Sequence, residues 1–163
     1  NRIGKALGAN FYYRNLLITI LKFHNDERIN LKLCVTPDSA LKNWSNSIFP
    51  KIERIRQGPG DIGEKMWRIL SKNTNKTIII GSDIPNITSK IILNAWKKLY
   101  LSNIVLGPAK DGGFWLIGIS NSKKFKGLFN DVLWSNKNTL GQLIKNIHPS
   151  EKISYVDTLE DID

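Results

Sequence analysis

The stretch Thr77-Ile78-Ile79-Ile80-Gly81-Ser82-Asp83-Ile84-Pro85 constrains the fold more than any other part of the chain. Three consecutive isoleucines are β-branched and suit a pleated strand better than a helix. An unbroken apolar run, rather than an alternating one, predicts a strand buried on both faces. Such a strand needs helices packed above and below its sheet. The run then meets Gly81, Ser82 and Asp83, and Pro85 removes a backbone donor and stiffens the exit. Open α/β sheets bind ligands beyond the carboxyl ends of their strands, which is where Asp83 stands.

The rest of the chain supplies alternating strands and helices. Residues 9–23 place Phe11, Leu16, Ile20 and Phe23 on one helical face, predicting a buried helix. Residues 28–36 alternate Ile29, Leu31, Leu33 and Val35, the period of a strand. A segment with Trp44 leads to a strand in Lys51–Gln57, and Gly58-Pro59-Gly60 breaks it. Asp61 and Glu64 form a capping-box pattern at the start of the next helix. Thr88 caps a helix running to about Asn103, and residues 103–109 and 114–120 read as apolar strands with Asp111-Gly112-Gly113 turning between them. A helix in 138–147, a strand in 152–157 and an acidic end complete the reading. The expected class is α/β with a mainly parallel sheet and an antiparallel excursion near Phe114.

With 163 residues, one domain with a single core is expected, and no internal repeat or linker interrupts it. No apolar run approaches the roughly 20 residues of a membrane span, and no signal peptide is visible. One cysteine, Cys34, excludes an internal disulfide and fits a reducing compartment, so a cytoplasmic location is expected. The net charge of +10 would suit a polyanion or phosphorylated small molecules. Its lysines are scattered, however, without the aromatic-interleaved stripe of a single-strand binder, so dedicated nucleic-acid binding is not expected. His24 and His148 lie far apart without metal-ligand spacing, and no Walker-type phosphate loop occurs.

Three stretches can carry chemistry. Asp83, on rigid backbone after Ser82, suits Mg²⁺, an oxygen-seeking cation shared with substrate phosphates; it could equally cap a helix around 84–91 or close an Asx turn. Gly58 and Gly60 permit close backbone approach, the helix starting near Asp61 offers free N–H groups to an anion, and Lys65 could neutralise a phosphate. Asp111 is either a hairpin tip or an acid–base group or second metal ligand across the pocket from Asp83. Beside it, one of Phe114 and Trp115 would line that pocket while the other enters the core. Trp134-Ser135 is ambiguous in the same way.

Taken in order, residues 57–66, 78–85, 105–118, 128–135 and 156–163 resemble bacterial glycosyltransferase-A-like proteins of the selenodomain-associated transferase type. These share the nucleotide-diphospho-sugar transferase fold with molybdenum cofactor and phospholactate guanylyltransferases. The resemblance spans essentially the whole chain. It implies a Rossmann-like three-layer α/β sandwich that binds a nucleoside diphosphate sugar or nucleoside triphosphate with Mg²⁺ or Mn²⁺, and an acceptor it does not identify. On the matching positions, Asp83 is the metal-binding aspartate, with Ser82 beside it. Gly58, Gly60, Asp61 and Gly63 form the glycine-rich nucleotide loop, followed by Lys65 where arginine is usual. Asp111, Gly112 and Gly113 form the acceptor-side loop, which carries a catalytic and metal-ligating role for Asp111. Phe114, Trp134 and Ser135 line the substrate side, and Asp157 and Asp161 form the acidic terminal motif. Arg2-Ile3 matches an Arg-Leu pair that follows the family's first strand and phosphate-gripping loop. The resemblance therefore implies that the chain is N-terminally truncated by about 15 to 20 residues, the length of one strand and its loop. The expected function is a metal-dependent glycosyl- or nucleotidyltransferase, or else a non-catalytic nucleotide-binding or interaction module of the same fold.

Overall fold

The computed structural model describes residues 5–43, 50–72 and 75–160. In chain order the elements are α1 (Lys5–His24), β1 (Lys32–Val35), α2 (Ala40–Asn43), β2 (Glu53–Arg56), α3 (Ile62–Lys72) and β3 (Thr77–Ile80). There follow α4 (Ser89–Lys98), β4 (Ile104–Pro108), β5 (Phe114–Ile119), a single 3₁₀ turn (Ser122–Phe125), α5 (Thr139–Lys145) and β6 (Ile153–Tyr155). Arg2, Trp44 and Asp161 fall outside the described residues. No helix among the described residues is long and apolar enough to cross a membrane.

Four strands form one sheet in the order β3-β5-β4-β6, and β1 and β2 form a parallel pair. β5 runs antiparallel to both of its neighbours, while β4 and β6 are parallel. Three of the four strands thus share a direction, and β5 is the expected excursion. Alternate side chains of the central strands enter opposite faces. On one face Val105 and Leu116 pack with Phe23 of α1 and Ala95 of α4. On the other, Ile104, Leu106 and Ile117 pack with Leu70 of α3 and Leu143 of α5. Helices on both faces of the sheet make the three layers.

Two expectations need correction. The triple isoleucine forms a strand, but Ile78, Ile79 and Ile80 are only half-buried. The deepest burial is instead in the central strands β4 and β5: Ile104, Val105 and Leu106 of β4 are 0% exposed. The reason is position: β3 ends its sheet, and its second edge has no strand partner among the described residues. An apolar run reports that both faces are covered, not that both edges are paired. The strand expected over residues 28–36 is also shorter, because Asp26 captures its start. The Asp26 carboxylate accepts from the Arg28 amide at 3.2 Å and pairs with its guanidinium at 2.7 Å, and the Ile29 amide donates to the Asp26 carbonyl. Those bonds close a turn and leave only Lys32–Val35 extended.

Leu106 lies at the centre of β4 and is 0% exposed, so Leu106→Ala leaves a cavity that the packed sheet and helices around it cannot fill. The expected loss is about 3 kcal/mol, read as a lower denaturant midpoint with unchanged slope.

Candidate functional site

The antiparallel course of β5 assembles the site. β3 leads into Gly81, whose amide donates to the Trp115 carbonyl at 2.9 Å, so the end of β3 lies beside the start of β5. The Asp111-Gly112-Gly113 turn just before β5 is thereby brought to the same end of the sheet as Ser82-Asp83. A cavity of about 550 Å³ opens there. Its wall includes Lys65, Ser82, Asp83 and Asp111. Gly113, Phe114, Trp134 and Ser135 line it as well. Gly58, Gly60, Asp61, Gly63 and Gly112 are not on that wall.

Asp83 caps no helix. Thr88 caps α4 instead, its hydroxyl accepting from the Ile91 amide, and the Asp83 carboxylate makes no hydrogen bond or ion pair among the described residues. Asp111 does form the tight turn anticipated for a hairpin tip: its Oδ1 accepts from the Gly113 amide at 2.8 Å, leaving Oδ2 for other partners. The turn is anchored from behind, because the Gly112 carbonyl accepts from the Leu140 amide of α5. Trp115 is buried in the core, its indole N–H donating to the Asp157 carbonyl at 3.0 Å, but it lines the cavity too, so the expected division between Phe114 and Trp115 is not clean. Phe114 meets Trp134 edge to face, with centroids 6.3 Å apart. Ser135 holds φ at 54°, an uncommon conformation for a residue with a side chain.

The glycine-rich segment behaves differently from a loop lining the cavity. Asp61 and Glu64 form a reciprocal capping box: the Glu64 amide donates to Asp61 and the Asp61 amide to Glu64, each at 2.8 Å. Two amides at the start of α3 are thus already satisfied by carboxylates. Gly63 is a packing position, since a Cβ there would stand 2.5 Å from the Trp134 ring. It lets Trp134 lie against α3 and so joins two motifs 71 residues apart in sequence. At the other end of the site, Leu159 pairs with Ala109 and Glu160 bridges Lys110 at 2.7 Å, setting the acidic terminal segment beside the Asp-Gly-Gly turn. Asp157 is exposed and off the cavity wall.

Sequence reasoning missed several residues. Cys34 and Gln57 line the cavity, and Gln57 Nε2 donates to the Cys34 carbonyl at 3.0 Å. Burial pushes the Cys34 thiol above its ordinary pKa, so at neutral pH it is a protonated packing group. Arg68 reaches back from α3 to two loop carbonyls. Its spacing of four from Glu64 and three from Lys65 puts all three on one helix face, a signal that was available. No group of three His, Cys, Asp or Glu side chains suited to a metal occurs among the described residues.

A family described as "Uncharacterized protein conserved in bacteria" (DUF2064) matches residues 19–136. Among solved structures, one from Desulfovibrio desulfuricans G20, described as a "putative nucleotide-diphospho-sugar transferase", matches 94% of this chain and 69% of its own, with a TM-score of 0.73 and 22% identity. No curated protein matches the chain. The likeness shows the nucleotide-diphospho-sugar transferase fold, in agreement with the layer order and the antiparallel β5.

Two glycine substitutions test the backbone of the Asp-Gly-Gly turn and of the helix that anchors it. At Gly112, φ is +92° and a Cβ would stand 2.0 Å from the Lys137 carbonyl oxygen. Gly112→Ala is expected to cost about 3 kcal/mol. Gly141, inside α5 with open space around it, should gain about 0.5 kcal/mol as alanine. Chemical denaturation of both variants reads the two signs.

Proposed function

The chain belongs to the family described as "Uncharacterized protein conserved in bacteria", and from that footing we propose that it is a metal-dependent transferase acting on a nucleotide-activated substrate. The observation that carries this reading is the convergence of four separate chain segments on one cavity: Lys65, Ser82-Asp83, Asp111 and Trp134-Ser135 all stand on its wall. The fold shared with the Desulfovibrio protein adds the expectation of a nucleoside diphosphate sugar, with a nucleoside triphosphate as the related alternative.

The donor set fits Mg²⁺ or Mn²⁺. Two carboxylates on the wall, Asp83 and Asp111, are available, and such ions commonly take one or two carboxylates and complete their shell with water and substrate phosphates. When bound, the cation supplies neutralisation of the charge that builds on the leaving phosphates. Asp83 stands three residues past the end of β3, and no hydrogen bond or ion pair among the described residues competes for its carboxylate. Lys65, on the first turn of α3, adds a positive charge toward the phosphates. Where Asp83 alone supplies the carboxylate to the cation, Asp111 Oδ2 is left to accept a proton from an acceptor hydroxyl while Oδ1 stays locked to Gly113. Phe114 and Trp134 provide apolar wall beside it. This assignment serves displacement at a sugar carbon and at phosphorus alike.

Removing the charge at Asp83 without changing its shape isolates its role. Asp83→Asn should lose Mn²⁺-dependent binding of nucleoside diphosphate sugars by at least tenfold in calorimetry, with the unliganded melting temperature nearly unchanged. Equal affinity in both proteins would overturn the assignment. Turnover of the bound nucleotide with an acceptor separates a transferase from a binding module.

A further inference from the structure

The segment Gln57–Gly60 is held from behind by a single side chain that does not reach the cavity. Arg68 donates from Nη1 to the Gln57 carbonyl and from Nη2 to the Pro59 carbonyl at 2.8 Å. A guanidinium offers paired donors in a rigid fork, so two carbonyls aimed at it are fixed relative to each other. In a trans peptide the C=O and the following N–H point in opposite directions. Turning the carbonyls of Gln57 and Pro59 toward Arg68 therefore turns the amides of Gly58 and Gly60 away from it. The Gly58 amide meets the Asp38 Oδ1 at 3.2 Å on that far side.

The loop is built around this contact. Gly58 has φ +75°, and a Cβ there would stand 2.7 Å from Arg68 Nη1, so the guanidinium lies directly under the glycine. Gln57 is tied on its other sides by its amide to the Val35 carbonyl and its side chain to the Cys34 carbonyl. Through Gln57, which lines the cavity, Arg68 acts on a wall it does not itself form.

We propose that Arg68 is the positioning residue of the site: it sets the carbonyl-in, amide-out conformation of residues 57–60 and thereby holds Gln57 in place on the wall for an anionic ligand. The ligand part rests on the proposed function; the clamp does not. Arg68→Ala leaves the two carbonyls without their cation, and Arg68→Lys supplies a charge that can satisfy them only without the planar fork.

Hydrogen exchange and binding together decide it. In Arg68→Ala the amides of Gln57 and Gly58 should exchange at least tenfold faster, with Leu106 of β4 unchanged and Arg68→Lys intermediate. Affinity for pyrophosphate with Mg²⁺, measured by calorimetry, should fall at least tenfold in Arg68→Ala and recover partly in Arg68→Lys. Gly58→Ala should give a similar loss, and adding it to Arg68→Ala should cost little more. Unchanged exchange at Gly58 overturns the clamp, and faster exchange with unchanged affinity overturns the positioning role. If the unsubstituted protein binds no nucleotide, sugar nucleotide or pyrophosphate, the proposed function fails while the exchange comparison still decides the clamp.

Discussion

The structure depends first on the ladder between β3 and β5. Ile79 opposite Ile117 and Ile80 opposite Leu116 fix a register in which the end of one strand adjoins the beginning of the other. A slip by one residue would carry Leu116 and Ile117 to the wrong faces, and both are fully buried. The hydrophobic effect on the two faces thus sets the register, and the register sets which loops meet. Asp83 and Asp111 are 28 residues apart in sequence and come to one cavity for that reason.

What was legible in the sequence was local. The capping box at Asp61 and Glu64, the Thr88 cap and the Asp111 turn all formed as their spacing implied, because each is closed by hydrogen bonds over two or three residues. The antiparallel excursion was legible too, since Asp-Gly-Gly leaves room for only a tight turn between apolar runs. What depended on neighbours distant in sequence was not. Nothing in Ile78-Ile79-Ile80 states that β3 has one unpaired edge, and nothing local to Gly63 announces the Trp134 ring above it. The Gly58 position looks like a ligand-approach site in sequence; the structure shows that its missing side chain makes room for Arg68.

The open edge of β3 also explains the character of the cavity. Leu33 and Cys34 of β1 and Ile79 and Ile80 of β3 stand on the same wall, although the two strands belong to different sheets. These apolar side chains make that part of the wall a packing surface. The end with Ser82-Asp83 and the Asp-Gly-Gly turn is where charged groups gather, so a phosphorylated ligand is expected at that end rather than in the depth of the cavity.

Charge gives the reading its last constraint. The charged side chains on the wall are Lys32, Lys65, Asp83 and Asp111, two of each sign, so the wall itself is close to neutral. A nucleoside diphosphate group brings at least two negative charges to a surface that already presents two carboxylates. Lys32 is already paired with Glu53 at 2.8 Å, so Lys65 alone cannot offset both repulsions, and a charge taken out of water without a partner costs several kcal/mol. On the proposed reading a divalent cation at Asp83 would resolve both at once, turning the carboxylate from a repulsive neighbour into a shared ligand. On the proposed reading, metal and nucleotide therefore bind together: neither is expected to bind strongly alone. On the same reading the overall +10 would attract the anion from a distance, while discrimination at the wall would fall to the metal and to the conformation proposed for the loop above Arg68.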